Sequence, residues 1–332
     1  MPTFRTAVVT ALLQERPGLQ RVDTDLGRAY ALTQLTGPVA LGDRVVLNTT
    51  AVDLGLGTGG WHVVHWNTER TVFEEPGPGH IMKLRYTSLQ VDAGSTEEHD
   101  PATATDLGGM PVVVGSLHSQ VPGVAAAIRA GVPKVRIVYV MTDGAALPIV
   151  ISDLVDAMVR TGLIDATITA GHAFGGDLEA VSVPSALALA RNVLHADVAI
   201  VAMGPGVVGT SSPLGTSALE VAAILDGAVA LGGRPVAVLR MSDGDDRARH
   251  RGVSHHSRTA LDLVRSSVLV AVPEEHAFEH ARHDVRVASG PDVPALLAEV
   301  DLRVTTMGRG PDEDPLFFRA TGAAGALAAS LL

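Results

Sequence analysis

Hydrophobic and polar positions change rhythm once along this chain. Up to about residue 75 the apolar positions come in short, β-branched pieces: TAVVTALL, LQRVDTD, RAYALTQL, DRVVLNTTAV and WHVVHWN. Turn-forming residues separate them at Arg16-Pro17-Gly18, Gly37-Pro38, Leu41-Gly42-Asp43 and the glycine-rich run 55–60. Strands of this length and spacing predict a small antiparallel β-barrel or sandwich over residues 1–78. Glu74-Glu75-Pro76-Gly77-Pro78-Gly79 reads as a linker. Residues 79–107 form a transitional segment, from GHIMKLRYTSLQ into the polar GSTEEHDPATATDLGG. Within it Lys83 and Arg85 alternate with Met82 and Leu84, which predicts an extended stretch with both cations on one face.

From residue 108 the pattern becomes apolar strand, amphipathic helix, apolar strand. MPVVVGS, VRIVYVM, IDATITAG, DVAIVAMG, RPVAVLRMS and SSVLVAVP read as strands. VPGVAAAIRAG, PIVISDLVDAMVRTG, VPSALALARNVLH and SALEVAAILDGAVALGG read as helices, the last opening on a capping box, Ser217-Ala218-Leu219-Glu220. Strands that are apolar throughout, alternating with helices, predict a doubly wound, mostly parallel, Rossmann-like α/β domain over 108–332.

Composition narrows the chemistry. With 46% hydrophobic residues in 332, there is ample material for a large core. The chain has no Cys, which removes disulfides, thiolate nucleophiles, iron–sulfur clusters and Cys-bound zinc. A formal charge of −11, only two lysines (Lys83 and Lys134) and 3% aromatic residues argue against nucleic acid and anionic membranes as partners. The apolar runs fall short of the roughly 18 residues a membrane span needs, and the N-terminus lacks the pattern of a signal peptide. A cytoplasmic protein is expected.

In open α/β sheets, ligands bind beyond the carboxyl ends of the strands. Those ends carry His118 and Ser119, Thr142 and Asp143, His172, and the polar stretch 242–257 with His250, His255 and His256. His118, Asp143, His172 and His255 are the candidates for acid–base work, because imidazole titrates near neutral pH. Beside them lies Gly204-Pro205-Gly206-Val207-Val208-Gly209, a literal G-x-G-x-x-G after a strand. A dinucleotide fingerprint would start its helix at the third glycine and place an acidic residue about 20 positions on. Here Pro213 interrupts and Asp243 is too distant, so NAD(P) is not expected. Gly204, Gly206, Gly209, Thr210 and Ser211, with Ser119, fit a broader role as a cradle for phosphate or carboxylate, directed into a cavity shared with His118 and His172. A plain turn, its hydroxyls capping its own backbone, is the alternative.

Asp243, Asp245 and His250 form a candidate divalent-metal set. Being adjacent, His255 and His256 are expected to contribute at most one ring to any site. Interleaved arginines equally suit ion pairs. Ser hydrolysis lacks its G-x-S-x-G elbow.

GHIMKLRYT at 79–87, HSQVP at 118–122, MGPGVVGT at 203–210 and GVSHHS at 252–257 resemble a bacterial family catalogued as domain of unknown function 3866. The resemblance runs over nearly the whole chain and implies no activity. Three readings stay open. One is an enzyme acting on an anionic, phosphorylated or nucleotide-like small molecule. Another is a metabolite-sensing or protein-binding module. The third is a structural homo-oligomer subunit using the apolar segment 320–332 as its interface.

Overall fold

The computed structural model describes residues 1–332 apart from 58, 101–103 and 145–146. Thr58 of the glycine-rich run and 101–103 of the transitional segment therefore lie outside the described residues. Two compact units divide at Gly94 and Ser95.

In the first unit β1 (Phe4–Arg16), β2 (Leu19–Thr24), β3 (Gly27–Leu32), β4 (Arg44–Asn48) and β5 (His62–Asn67) close into a barrel in the order β1-β2-β3-β5-β4. Helical turns α1 (Thr33–Thr36) and α2 (Thr50–Asp53) lie in its connections. Pairing is antiparallel except between β3 and β5. Alternation along the strands turns Ala7, Val9, Val22, Ala29, Ala31, Val45, Leu47 and Val64 inward as a separate core. The extended stretch expected over 79–87 is shorter than its alternation suggests. Only β6 (Met82–Lys83) pairs, with β7 (Val91–Asp92), and Leu84 and Tyr86 then take positive φ and turn the chain.

The second unit holds an eight-stranded sheet, all of whose pairings are parallel. Along the chain run β8 (Pro111–Val114), α3 (Gln120–Gly131), β9 (Ile137–Thr142), α4 (Asp153–Arg160), β10 (Ala166–Ala170), β11 (Leu178–Ala180), α5 (Val183–Asn192), β12 (Val198–Met203), α6 (Glu220–Ala230) and β13 (Arg234–Val238). A two-stranded ribbon, β14 (Met241–Ser242) and β15 (Gly252–Val253), precedes α7 (His255–Leu263). After it come β16 (Leu269–Pro273), β17 (Asp284–Ala288), α8 (Val293–Glu299) and α9 (Pro315–Ala329). The sheet order is β11-β10-β9-β12-β8-β13-β16-β17.

Both faces are covered, so successive residues of a strand enter different cores. Val112 and Val114 pack with α5, α6 and α7, whereas Val113 packs with α3, α8 and α9. Neighbouring strands β8 and β12 thus hand the chain to opposite faces, which opens a crevice between their carboxyl ends. The edge strands β11 and β17 carry no continuous apolar run, and the sequence pattern passes over both.

The segment 320–332, an oligomer interface in one of the three readings, packs largely into the core: Ala320, Ala323, Ala324, Leu327 and Ala328 are buried. Two aromatic rings at the start of α9, Phe317 and Phe318, are buried with them. Here α9 crosses α3 at very short range. A Cβ on Gly325 would stand 2.5 Å from Ala127 Cβ and 2.6 Å from the Val124 carbonyl oxygen. Alanine gains about 1 kcal/mol in helix propensity over glycine, but a clash with backbone cannot relax by side-chain rotation, and overpacking costs roughly 1–3 kcal/mol. Gly325→Ala should therefore lower the unfolding free energy measured in urea. Gly227→Ala in α6, where the nearest atom to an added Cβ is 3.9 Å away, should raise it by roughly 0.5–1 kcal/mol.

Candidate functional site

The carboxyl ends of β9, β12, β8 and β13 lie side by side at the middle of the sheet. Buried Gln120, at the start of α3, shapes the β8 end. Its side-chain oxygen accepts from the Ser116 and Leu117 amides at 2.9 and 3.0 Å, while its amide donates to the Leu239 carbonyl beyond β13 at 3.1 Å.

His118 is engaged through both ring nitrogens. Nδ1 lies 3.2 Å from the Tyr139 hydroxyl and Nε2 2.7 Å from Ser152 Oγ. The buried Tyr139 hydroxyl donates to the carbonyls of Ala202 or Met203, and Ser152 caps α4 by accepting from the Val155 amide. This donor chain assigns the imidazole hydrogen to Nδ1. Burial holds the His118 pKa down at about 4, so the ring is neutral at pH 7. It ties β8, β9, β12 and α4 together.

A second group forms one strand over. Asp143 accepts from the His172 backbone amide at 2.8 Å, and Thr142 Oγ1 donates to Glu220 Oε1 at 2.8 Å. Glu220 was expected to close a capping box. Instead the cap is Thr216, whose Oγ1 accepts from the Ala218 amide at 3.2 Å. Ser217 Oγ donates to the Val208 carbonyl, and the Glu220 carboxyl reaches across to β9. Burial, reinforced by the charge of Asp143, raises its pKa to about 7 against the opposing Thr142 hydrogen bond. Glu220 is thus a group that can carry a proton near neutral pH, beside Asp143.

Between these groups and the β13 end runs the glycine-rich loop. Gly206 has φ +108°, open only to glycine in practice. Residues 208–217 fold back as a small hairpin, with the Thr210 amide donating to the Gly215 carbonyl and the Ser217 amide to the Val208 carbonyl. The hydroxyls of Thr210 and Thr216 donate to backbone carbonyls of the same loop, and Ser211 is exposed beside them. Gly209 presses against His256, and a Cβ there would overlap the ring.

The expected metal set of Asp243, Asp245 and His250 does not converge. Buried Asp245 instead takes Arg247 in a bidentate pair at 2.8 and 2.9 Å, with Arg240 at 3.5 Å and Arg309 at 3.4 Å. These partners hold its carboxyl far below the usual range. Asp243 is exposed, with Arg319 at 3.8 Å. Fully buried Asp314 accepts from Ser242 Oγ at 2.7 Å, the Asp243 amide at 3.1 Å and Arg309 at 3.0 Å. Guanidinium groups face both Asp245 and Asp314. The expectation for the neighbouring histidines is also revised. His255 and His256 open helix α7, and their ring centroids lie 4.2 Å apart, each about 5 Å from that of His250.

Two predictions follow from these groups. A carboxyl whose folded pKa exceeds its unfolded value adds stability that is complete below about pH 4 and lost as pH rises through 7. Glu220→Gln should therefore match the parent near pH 5 and exceed it at pH 8 by on the order of 2 kcal/mol, read from urea unfolding at both values. A difference independent of pH would refute the raised carboxyl. Asp314→Ala, which leaves the Arg309 charge and the β14 hydroxyl without their acceptor, should cost about 3–5 kcal/mol in the same assay.

Comparison with known proteins adds family membership but no activity. No curated protein and no solved structure matches the chain. No helix among the described residues is long and apolar enough to cross a membrane. Residues 28–325, from β3 of the barrel to within α9, match the family described as protein of unknown function DUF3866, and the chain belongs to it.

Proposed function

We propose that the carboxyl edge of the parallel sheet is the active face of an enzyme acting on a small anionic molecule, phosphorylated or nucleotide-like, by acid–base chemistry. The observation that carries this reading is Glu220. It is a half-buried carboxyl whose pKa lies near 7, held by Thr142 beside Asp143 at the foot of the glycine-rich loop. A group that changes protonation at working pH, next to a second carboxyl group, is a usual arrangement for moving a proton to and from a substrate. His172 lies next to the same pair, its amide on Asp143. On the loop's other side Gly209 meets His256, and burial, with the charges of Arg249 and Arg240 nearby, lowers the His255 and His256 pKa values. That cationic side suits the anionic group, and the start of the loop, Gly204, Gly206 and Val207, would bring backbone amides to it. His118, with both nitrogens engaged, has a positioning role in this reading.

Thermal shift with inorganic phosphate, a nucleoside monophosphate, a sugar phosphate and citrate tests the reading. A bound probe at a hundredfold excess over its Kd should stabilise the parent by about 2.7 kcal/mol. Gly206→Val, whose side chain cannot take the loop's backbone angle, should abolish that response. Because ionised Glu220 repels an anion, the response should be larger at pH 6 than at pH 8 in the parent and equal at both in Glu220→Gln. Failure of every probe to shift the parent, or an undiminished shift in Gly206→Val, would sink the proposal.

A further inference from the structure

The geometry points to a transition-metal site, of the kind that takes Zn²⁺, formed by His250, His255 and His256 where β15 passes into α7. One ring nitrogen from each lies within 4.8 Å of the other two. His250 and His256 are buried and His255 is half-buried. The Nε2 atoms of His255 and His256 are enclosed and have no hydrogen-bond partner. Leaving a buried polar atom unsatisfied costs about 1–3 kcal/mol, and a ligand shared by the clustered rings would satisfy both.

The surroundings orient the rings as metal sites require. His250 Nδ1 lies 2.8 Å from the Oγ of Ser254, itself fully buried, a contact that fixes the ring and leaves Nε2 as its ligand atom. Thr216 Oγ1 lies 3.4 Å from Nδ1 of His256. Ser254 also caps α7 by accepting from the His256 amide at 3.3 Å, so the helix start and the ring orientation share one hydroxyl. Tetrahedral ligands at 2.0–2.1 Å from zinc stand roughly 3.3 Å apart.

All-nitrogen donors favour Zn²⁺ or Cu²⁺ over Mg²⁺ and Ca²⁺, which prefer oxygen. Three protein ligands leave a fourth position open, as in catalytic rather than structural zinc sites. The nearby charge of Arg240 is met by Asp245 at 3.5 Å. The inference is independent of the acid–base reading, since it uses neither Glu220 nor Asp143.

The test is zinc binding by the full chain, free of any affinity tag. After chelator treatment and dialysis, titration with Zn²⁺ should give about one tightly bound ion per chain by elemental analysis, with a rise in Tm, whereas Mg²⁺ should give neither. His255→Ala and His256→Gln should each lose that ion while keeping the far-UV circular dichroism of the parent. Retention of full zinc stoichiometry in either variant, or absence of binding to the parent, overturns the site. Should a variant lose its fold, X-ray absorption of the zinc-loaded parent decides. A shell containing three imidazoles supports the site, and an oxygen-rich shell refutes it. Anion binding by metal-free protein is measured separately, so either proposal can fail alone.

Discussion

A parallel sheet covered on both faces leaves its chemistry nowhere to go but the strand ends. In β12 every residue from Val198 to Met203 is buried, and in β8 every residue from Pro111 to Val114. An ionisable side chain along either strand would be desolvated among aliphatic groups at a cost of several kcal/mol. Inside this layer the Tyr139 hydroxyl finds acceptors at the end of β12. The concentration of His, Asp, Glu and Thr at one edge is thus the complement of the core's composition.

That edge is held by two different means. On the β9 side, neutral contacts dominate: His118 with Tyr139 and Ser152, and Gln120 bridging the β8 and β13 ends. On the β13 side, Asp245 and Asp314 gather Arg240, Arg247 and Arg309 into a buried network. Breaking such a network is costly because it strands a charge, so the loop from Asp243 to Arg251 is confined to one path. His250, at the end of that path, is delivered to α7 with little freedom.

The layer order was legible because burial on both faces writes long apolar runs, as in IVYVM and VAIVAM. The barrel strands were legible because one-sided burial writes alternation, as in RVVLN of β4. Edge strands write neither: DVRVA of β17 is mostly exposed, and LEA of β11 spans three residues. The candidate site was legible by position more than by role. Strand-end reasoning reaches His118, Asp143 and His172, but not Glu220, whose spacing from Ser217 mimics a capping box. Its side chain takes the Thr142 hydroxyl instead, a choice that depends on β9 and β12 being neighbours. In the same way Asp243 and Asp245 have the residue types of metal ligands, and only folding brings Arg309 and Arg319 against them. Adjacent histidines were expected to diverge, as they would on a strand or in the middle of a helix. At the first turn of α7 they converge on a third ring brought in from upstream.

The crossing of α9 over α3 also bears on when this unit can finish folding. α3 follows the first strand of the sheet, while α9 is the last element to be added, and their glycines interlock only when both are present. Until then Val113, Val124 and Ala127 lack the cover that Phe317, Ala323 and Ala324 give them. Contacts so widely separated in sequence slow the search for the native arrangement and prolong the exposure of apolar surface. During synthesis, the α3 side of the sheet would stay open until nearly all of the unit had been made, and would need protection from other chains for that interval.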